Sequence, residues 1–131
     1  MKNGASFINA SRGEVLVDKA FLDARARLGK VVLDVWRNEP HIDSRMLEAA
    51  DIATPHIAGY SIQGKANGTT AVVRALGRTF GISELENFSV DLSLPESSSY
   101  DIMKDDRALR LSPDSFEELR SNYTYRDETA L

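Results

Sequence analysis

Residues 30–36, with the sequence KVVLDVW, decide the fold of this chain. They form an almost continuous run of β-branched and apolar residues that is interrupted only by Asp34 and ends in Trp36. Continuous apolar strands are typical of parallel sheets covered on both faces, whereas strands with one wet face alternate apolar and polar residues. The run therefore predicts a buried strand of a parallel sheet.

Further elements are predicted on both sides of this run. Residues 6–9 and 52–55 are short apolar segments that predict two more strands. Between the strands, apolar residues at helical spacing predict a helix over about 19–28, capped by Asp18, and a short helix capped by Ser44. Strands that alternate with helices at this spacing are typical of an α/β fold.

The second half of the chain has a different pattern. Apolar residues recur at helical spacing over 61–80, which predicts a long helix. Residues 88–94 alternate apolar and polar side chains and predict a half-buried strand, and 95–99 predict a turn or joint. Ser112, followed by proline at the first helical position, predicts the start of another helix.

Composition limits the classes of function. The chain has 131 residues, 42% hydrophobic and 27% charged, which is typical of one globular domain. It has no cysteine, so disulfides and thiol nucleophiles are excluded. Residues 1–80 hold 11 basic and 8 acidic residues, whereas 81–131 hold 5 and 12. The excess of acidic residues in 81–131 argues against a nucleic-acid-binding surface. No apolar run approaches the length of a membrane span, so a cytoplasmic protein is expected.

Three polar residues that suit carboxylate binding and acid–base chemistry follow the predicted strands. Arg12 offers a planar guanidinium that can bind a carboxylate through two hydrogen bonds. His56 can exchange a proton near neutral pH, and Glu39 could hydrogen-bond its imidazole and orient it. Ligands of α/β sheets gather at the carboxyl ends of the strands, where these residues lie. Taken singly, each also fits a plainer role as a surface, loop or structural residue.

Other polar residues support no second site. His41 lies in a polar loop and is expected at the surface, and Trp36 is expected in the core or in a pocket wall. The two histidines are far apart in sequence and neither has an acidic cluster beside it, so no metal site is predicted.

Three motifs together resemble a known family. Residues 8–13 (INASRG), 34–40 (DVWRNEP) and 54–59 (TPHIAG) resemble the signature of the NAD-dependent D-2-hydroxyacid dehydrogenases in order and in spacing. The resemblance implies an α/β fold, namely the C-terminal part of a Rossmann-type NAD-binding domain with parallel strands and helices. It also implies NAD as the cofactor and a small hydroxy acid as the substrate.

The resemblance also implies a role for each residue of the site. Arg12 would bind the substrate carboxylate, His56 would be the catalytic acid/base, and Glu39 would be its partner. Asp34 and Gly59 match positions near the nicotinamide end of NAD, and both are expected to bind the cofactor.

The second half resembles one branch of this family, which oxidises 4-phospho-D-erythronate in the biosynthesis of pyridoxal phosphate. The resemblance lies in Tyr60, in residues 64–70 and in the tail from Tyr100 to Arg126. It implies that Tyr60 contacts the substrate and that the intact enzyme is a homodimer. The predicted organisation is a catalytic part of the NAD-binding domain at 1–60, a crossover helix at 61–81 and a shortened α+β dimerisation domain at 82–131.

The sequence departs from the family pattern at three places. None of its 131 residues forms a Gly-x-Gly-x-x-Gly phosphate loop, so the chain is expected to be a fragment that is inactive alone. Arg37 occupies a position that is usually acidic, and residues 95–99 replace a longer stretch. Two alternatives stay open: a sister dehydrogenase of the phosphoglycerate or hydroxypyruvate type, and a non-catalytic dimerisation remnant.

Overall fold

A computed structural model describes residues 1–91 and 100–123 of the chain. Three parallel strands form one sheet in the order β1 (Phe7–Asn9), β2 (Val31–Leu33) and β3 (Ile52–Ala53). In this register Asn9 lies opposite Leu33, which in turn lies opposite Ala53. The prediction of a parallel α/β sheet is therefore confirmed, with β2 at its centre.

Six α-helices are described in these residues. They are α1 (Asp18–Ala24), α2 (Ser44–Ala49), α3 (Ile62–Phe80), α4 (Ser83–Glu86), α5 (Ile102–Leu111) and α6 (Phe116–Ser121). The long helix predicted over 61–80 is confirmed. The side chain of Ser61 caps its first turn, and Gly81 ends it in the left-handed conformation (φ 66°) that glycine adopts without strain.

Several predicted details were wrong. Asp18 lies in the first turn of α1, whose N-cap is Val17. Asp43, not Ser44, caps α2, and its carboxylate accepts the backbone N–H of Arg45. The side chain of Ser112 makes no capping hydrogen bond, and the residues after it form a 3₁₀ turn before α6 begins.

The strand predicted over 88–94 and the joint over 95–99 fall largely outside the described residues. Residues 88–91 belong to no strand, and 92–99 are not described. The alternating pattern therefore did not produce a strand in the part that can be compared.

The chain divides into two compact units, each described on its own. The first is Met1–Ala58 with Asp101–Tyr123, and the described residues of the second are 59–91 and Tyr100. The predicted organisation instead placed the whole of 82–131 in one dimerisation domain. Residues 101–123 pack with the sheet, and their membership of a dimerisation domain stays a prediction.

The core of the first unit lies between the sheet and helices from both ends of the chain. Val31 of β2 and Ala53 of β3 are fully buried, as are Leu109 of α5 and Phe116 of α6. In addition, the buried Asp106 of α5 accepts the backbone N–H of Ala53 at 2.8 Å. Since a sheet edge otherwise leaves its N–H groups unpaired, α5 completes the hydrogen bonding of β3 at this point.

In the second unit α3 packs closely against α4. A Cβ at Gly77 of α3 would lie 2.6 Å from the backbone nitrogen of Glu86, so only glycine permits this approach. The guanidinium of Arg74 donates to the carbonyl of Phe88 at 2.7 Å and ties the following segment to the same helix.

Candidate active site

The end of β2 places a buried carboxylate beside the segment that follows β3. Asp34 is 4% exposed and accepts the hydroxyl of Thr54 at 2.6 Å. Its carboxylate also accepts the backbone N–H of Ile57 at 2.8 Å and that of Ala58 at 2.9 Å. Three hydrogen bonds from one side chain therefore hold residues 54–58 against the end of the sheet.

His56 lies in the middle of this segment and has a backbone conformation that non-glycine residues rarely adopt. Its φ of 57° falls in the left-handed region, which costs a non-glycine residue roughly 1–3 kcal/mol. The backbone N–H of His56 donates to the carbonyl of Asp34 at 2.8 Å. Asp34 thus binds the segment through both its backbone and its side chain, and these contacts offset the strain at His56.

The imidazole of His56 is paired with Glu39. The Nδ1 atom of His56 lies 2.8 Å from Oε2 of Glu39, and the two side chains are 23% and 18% exposed. An ionised carboxylate can only accept, so Nδ1 would donate to it, and in a neutral imidazole Nε2 would then be the acceptor. The pair is thus half-buried, and Nδ1, which contacts Glu39, is distinct from Nε2, which could accept a proton.

Glu39 is itself fixed by a second contact. Its Oε1 atom accepts the backbone N–H of Trp36 at 2.8 Å. Trp36 is 4% exposed, and its indole N–H donates to the carbonyl of Thr54 at 2.9 Å. The contact between His56 and Glu39 and the hydrogen bond from Trp36 to Thr54 both join the loop after β2 to the loop after β3. Together they hold the Glu39 carboxylate beside the imidazole.

Arg12 lies on the loop after β1, and its guanidinium is exposed. The side-chain amide of Asn9 donates to the carbonyl of Arg12 at 3.0 Å, and its oxygen accepts the N–H and hydroxyl of Ser11. The guanidinium donates to the carbonyl of Ser11 at 2.6 Å. The backbone of Arg12 is thus ordered by Asn9, and its side chain extends toward solvent.

Gly59 and Tyr60 belong to the second unit, apart from the residues above. Gly59 is exposed, and a Cβ added there would meet no atom within 4 Å. Tyr60 is half-buried, and the ammonium of Lys65 lies 4.5 Å from the centre of its ring.

Sequence reasoning missed the residues that support this site. Neither Thr54 nor Asn9 was a candidate, although both belong to the quoted motifs. Thr54 bonds to Asp34, 20 residues away, whereas the side chain of Asn9 bonds locally to Ser11 and Arg12, and spacing alone reveals neither role. His41 is exposed, as expected, and Trp36 is buried.

Two searches of the described residues found nothing further. Within 1–91 and 100–123 no group of three or more potential ligands could hold a metal ion. Over the same ranges no helix is both long and apolar enough to cross a membrane.

Comparison with known proteins relates residues 1–58 to a family. Residues 1–58 match the family model described as "D-isomer specific 2-hydroxyacid dehydrogenase, NAD binding domain". The matched segment contains β1, β2 and β3 together with Arg12, Glu39 and His56. NAD is therefore supported as the cofactor of this domain.

Curated relatives match over nearly the whole chain. The erythronate-4-phosphate dehydrogenase of Bacteroides fragilis is 42% identical over 98% of this chain and 40% of its own length. The enzyme of that name from Salmonella paratyphi B is 40% identical over the same shares. The chain therefore spans about 40% of the length of the relatives it matches.

A solved structure also resembles the chain. It is a Polaromonas sp. JS6 66 protein described as a D-isomer specific 2-hydroxyacid dehydrogenase. It is 32% identical, covers 62% of this chain and 27% of its own, and has a TM-score of 0.49. Residues 1–58 match the family model and the curated relatives match nearly the whole chain, in agreement with the three motifs of the sequence.

Proposed function

We propose that this chain is the C-terminal part of an erythronate-4-phosphate dehydrogenase. The whole enzyme would oxidise 4-phospho-D-erythronate to 2-oxo-3-hydroxy-4-phosphobutanoate with NAD, as a step of pyridoxal phosphate biosynthesis. The hydrogen bond of 2.8 Å between His56 and Glu39 is the observation that supports acid–base chemistry most directly. The relatives that bear this name support the choice of substrate.

The proposed mechanism assigns one task to each side chain. Arg12 binds the C1 carboxylate, because its exposed guanidinium can donate two parallel hydrogen bonds. Nε2 of His56 accepts the proton of the C2 hydroxyl as the hydrogen on C2 departs as hydride. Glu39 stabilises the imidazolium that forms and keeps Nδ1 protonated. The alcohol thereby loses one proton and one hydride and becomes a ketone.

NAD, when bound, supplies the hydride acceptor. Asp34 would lie near its nicotinamide end, where its buried carboxylate would orient residues 54–58 through the three hydrogen bonds that it accepts. Gly59, with open space around its Cα, allows a ligand to approach the backbone.

The substrate would also use Tyr60, whose hydroxyl suits a phosphorylated hydroxy acid. The ammonium of Lys65 over the Tyr60 ring adds positive charge beside it. We further propose a cytoplasmic homodimer whose partners are small molecules, without nucleic acid or membrane.

These 131 residues are proposed to be inactive alone. They contain no Gly-x-Gly-x-x-Gly loop, and such a loop with the helix after it supplies the N–H groups that hold a pyrophosphate. Catalysis would need the segment that corresponds to the rest of the relatives' length.

A chimera provides the test. These residues would replace the matching segment of the Bacteroides fragilis relative, and NADH formation would be measured with 4-phospho-D-erythronate and with 3-phosphoglycerate. Turnover of the first substrate is expected, with loss of about 10²–10⁴-fold in kcat for His56→Gln. The matched control is His41→Gln at the exposed histidine, which should keep full activity. Turnover of 3-phosphoglycerate alone would instead assign a sister enzyme, and full activity of His56→Gln would overturn the mechanism.

A further inference from the structure

We propose that Arg37 is a positioning residue that holds the loop of Arg12 against the loop of Glu39. Its Nη2 atom donates to the carbonyl of Leu16 at 2.6 Å and approaches that of Glu14 at 3.4 Å. Its Nε atom lies 3.7 Å from the carboxylate of Asp18, and the two side chains are only 37% and 23% exposed. One side chain from the loop after β2 thus binds three residues of the segment that follows Arg12.

The same two loops also meet through their backbones. A Cβ at Gly13 would lie 2.1 Å from the carbonyl carbon of Trp36 and 2.3 Å from the backbone nitrogen of Arg37. No side chain can occupy that space, so the residue after Arg12 rests directly on the Trp36–Arg37 peptide. The guanidinium of Arg37 secures this contact by binding the chain on the far side of Gly13.

Arg12 is therefore held from both sides. Asn9 donates to its carbonyl at 3.0 Å on the side of β1, and the contact between Gly13 and Arg37 anchors the other side. Because the guanidinium of Arg12 is exposed, its position depends on this backbone rather than on packing of its own.

The anchor is also shared with the acid–base pair. Gly13 contacts the Trp36–Arg37 peptide, and the backbone N–H of the same Trp36 donates to Glu39. Arg37 thus fixes the position of Arg12 relative to Glu39 and His56. This inference rests on the proposed role of Arg12 in binding the substrate carboxylate. An acid at position 37 could not donate to the carbonyl of Leu16 and would repel Asp18, so this arrangement requires a basic residue.

A general effect of positive charge on an anionic substrate must be separated from positioning. Arg45 offers the matched control, since it is exposed and pairs with Asp43. Arg37→Met and Arg45→Met each remove one positive charge and retain an unbranched apolar side chain. Arg37→Lys keeps the charge and one donor for Leu16.

The first measurement needs no activity. In nuclear magnetic resonance of the 131-residue chain, Arg37→Met is expected to increase the fast motion of the Arg12 and Gly13 amides. Arg37→Lys should largely restore their order, and Arg45→Met should leave it unchanged. Unaltered amides at both positions in Arg37→Met would overturn the proposal.

The second measurement is kinetic and uses the active chimera. Arg37→Met should raise KM for the hydroxy acid about tenfold, with kcat and KM for NAD changed by less than about twofold. An equal rise in Arg45→Met would mean steering by charge and would overturn the positioning role. If the unsubstituted chimera oxidises no hydroxy acid, the proposed function fails, and the amide measurement alone decides the proposal.

Discussion

Glu39 uses its two carboxylate oxygens for two different partners. Oε2 contacts the imidazole of His56, and Oε1 accepts the N–H of Trp36, each at 2.8 Å. An amide in place of the carboxylate could keep one of these contacts but would lose the negative charge. In the proposed mechanism, that charge stabilises the imidazolium after the proton has moved.

Glu39→Gln in the chimera is therefore expected to lower kcat by about 10²-fold or more, with little change in KM for the hydroxy acid. The matched control is Glu48→Gln, at an exposed residue of α2. Steady-state kinetics of NADH formation would measure both. A kcat for Glu39→Gln equal to that of the control would remove Glu39 from the mechanism.

Asp34 allows a prediction about stability at the same scale. In Asp34→Asn a donating NH₂ group replaces one of the oxygens that accept Ile57 N–H and Ala58 N–H. A buried N–H left without an acceptor costs about 1–3 kcal/mol, so the free energy of unfolding should fall by that amount. Denaturant unfolding would measure it, and the amides of both residues should exchange with solvent faster. Asp23→Asn, on the surface of α1, is the control, and an equal loss of stability there would contradict the explanation.

At the scale of elements, Asp51 joins the start of β2 to Arg25, the residue that follows α1. Its carboxylate accepts the N–H of Val31 at 2.8 Å and contacts Lys30 at 2.9 Å and Arg25 at 2.8 Å. Two hydrogen bonds hold the pKa of Asp51 below its ordinary value of 3.8, and the one from Lys30 has a larger effect than the one from Val31. A carboxyl group whose pKa is lower in the folded state stabilises the fold above the unfolded value and loses that contribution as the pH falls through the folded value.

Asp51→Asn should therefore reduce the free energy of unfolding at neutral pH, and the difference from the unsubstituted chain should shrink progressively as the pH falls below 3.8. Urea unfolding at a series of pH values would test this. Asp23→Asn is again the control, since Asp23 lies at the surface, where Lys19 is its partner. A difference that persists unchanged in acid would show that the charge of Asp51 is not the cause.

The sequence predicted elements best where local patterns determine them. The buried run of β2 and the helical spacing of α3 were sufficient. The strand expected from Phe88 failed over its described part, because alternation needs a partner strand and none pairs there. Arg12, Glu39 and His56 could be named from their motifs. Their support could not, because the contacts of Asp34 and Arg37 join segments about 20 residues apart.

At the scale of the whole molecule, the two ends of the chain build one core. Leu109 and Phe116 are fully buried in the unit that contains the sheet. Arg110 donates to the carbonyls of Leu47 and Ala50 at 2.9 Å, which satisfies the end of α2. The first 58 residues are therefore not expected to be fully stable without this later segment.

Ending the chain after residue 91 should consequently lower its thermal midpoint, because α5 and α6 leave the core. Ending it after residue 123 keeps both helices, so this chain should have a higher thermal midpoint than the shorter one. Thermal unfolding followed by circular dichroism would compare these chains with the full 131 residues. Equal midpoints for the two shortened chains would contradict the shared core.

The backbone of His56 also bears on the history of the protein. At a φ of 57° glycine costs nothing, whereas histidine retains a strain that only the surrounding hydrogen bonds offset. Selection for stability alone would favour glycine or asparagine at this position. In a lineage released from catalysis, random substitution would be expected to relax this residue among the first. A chain that carries histidine here therefore retains a backbone strain that stability alone does not require.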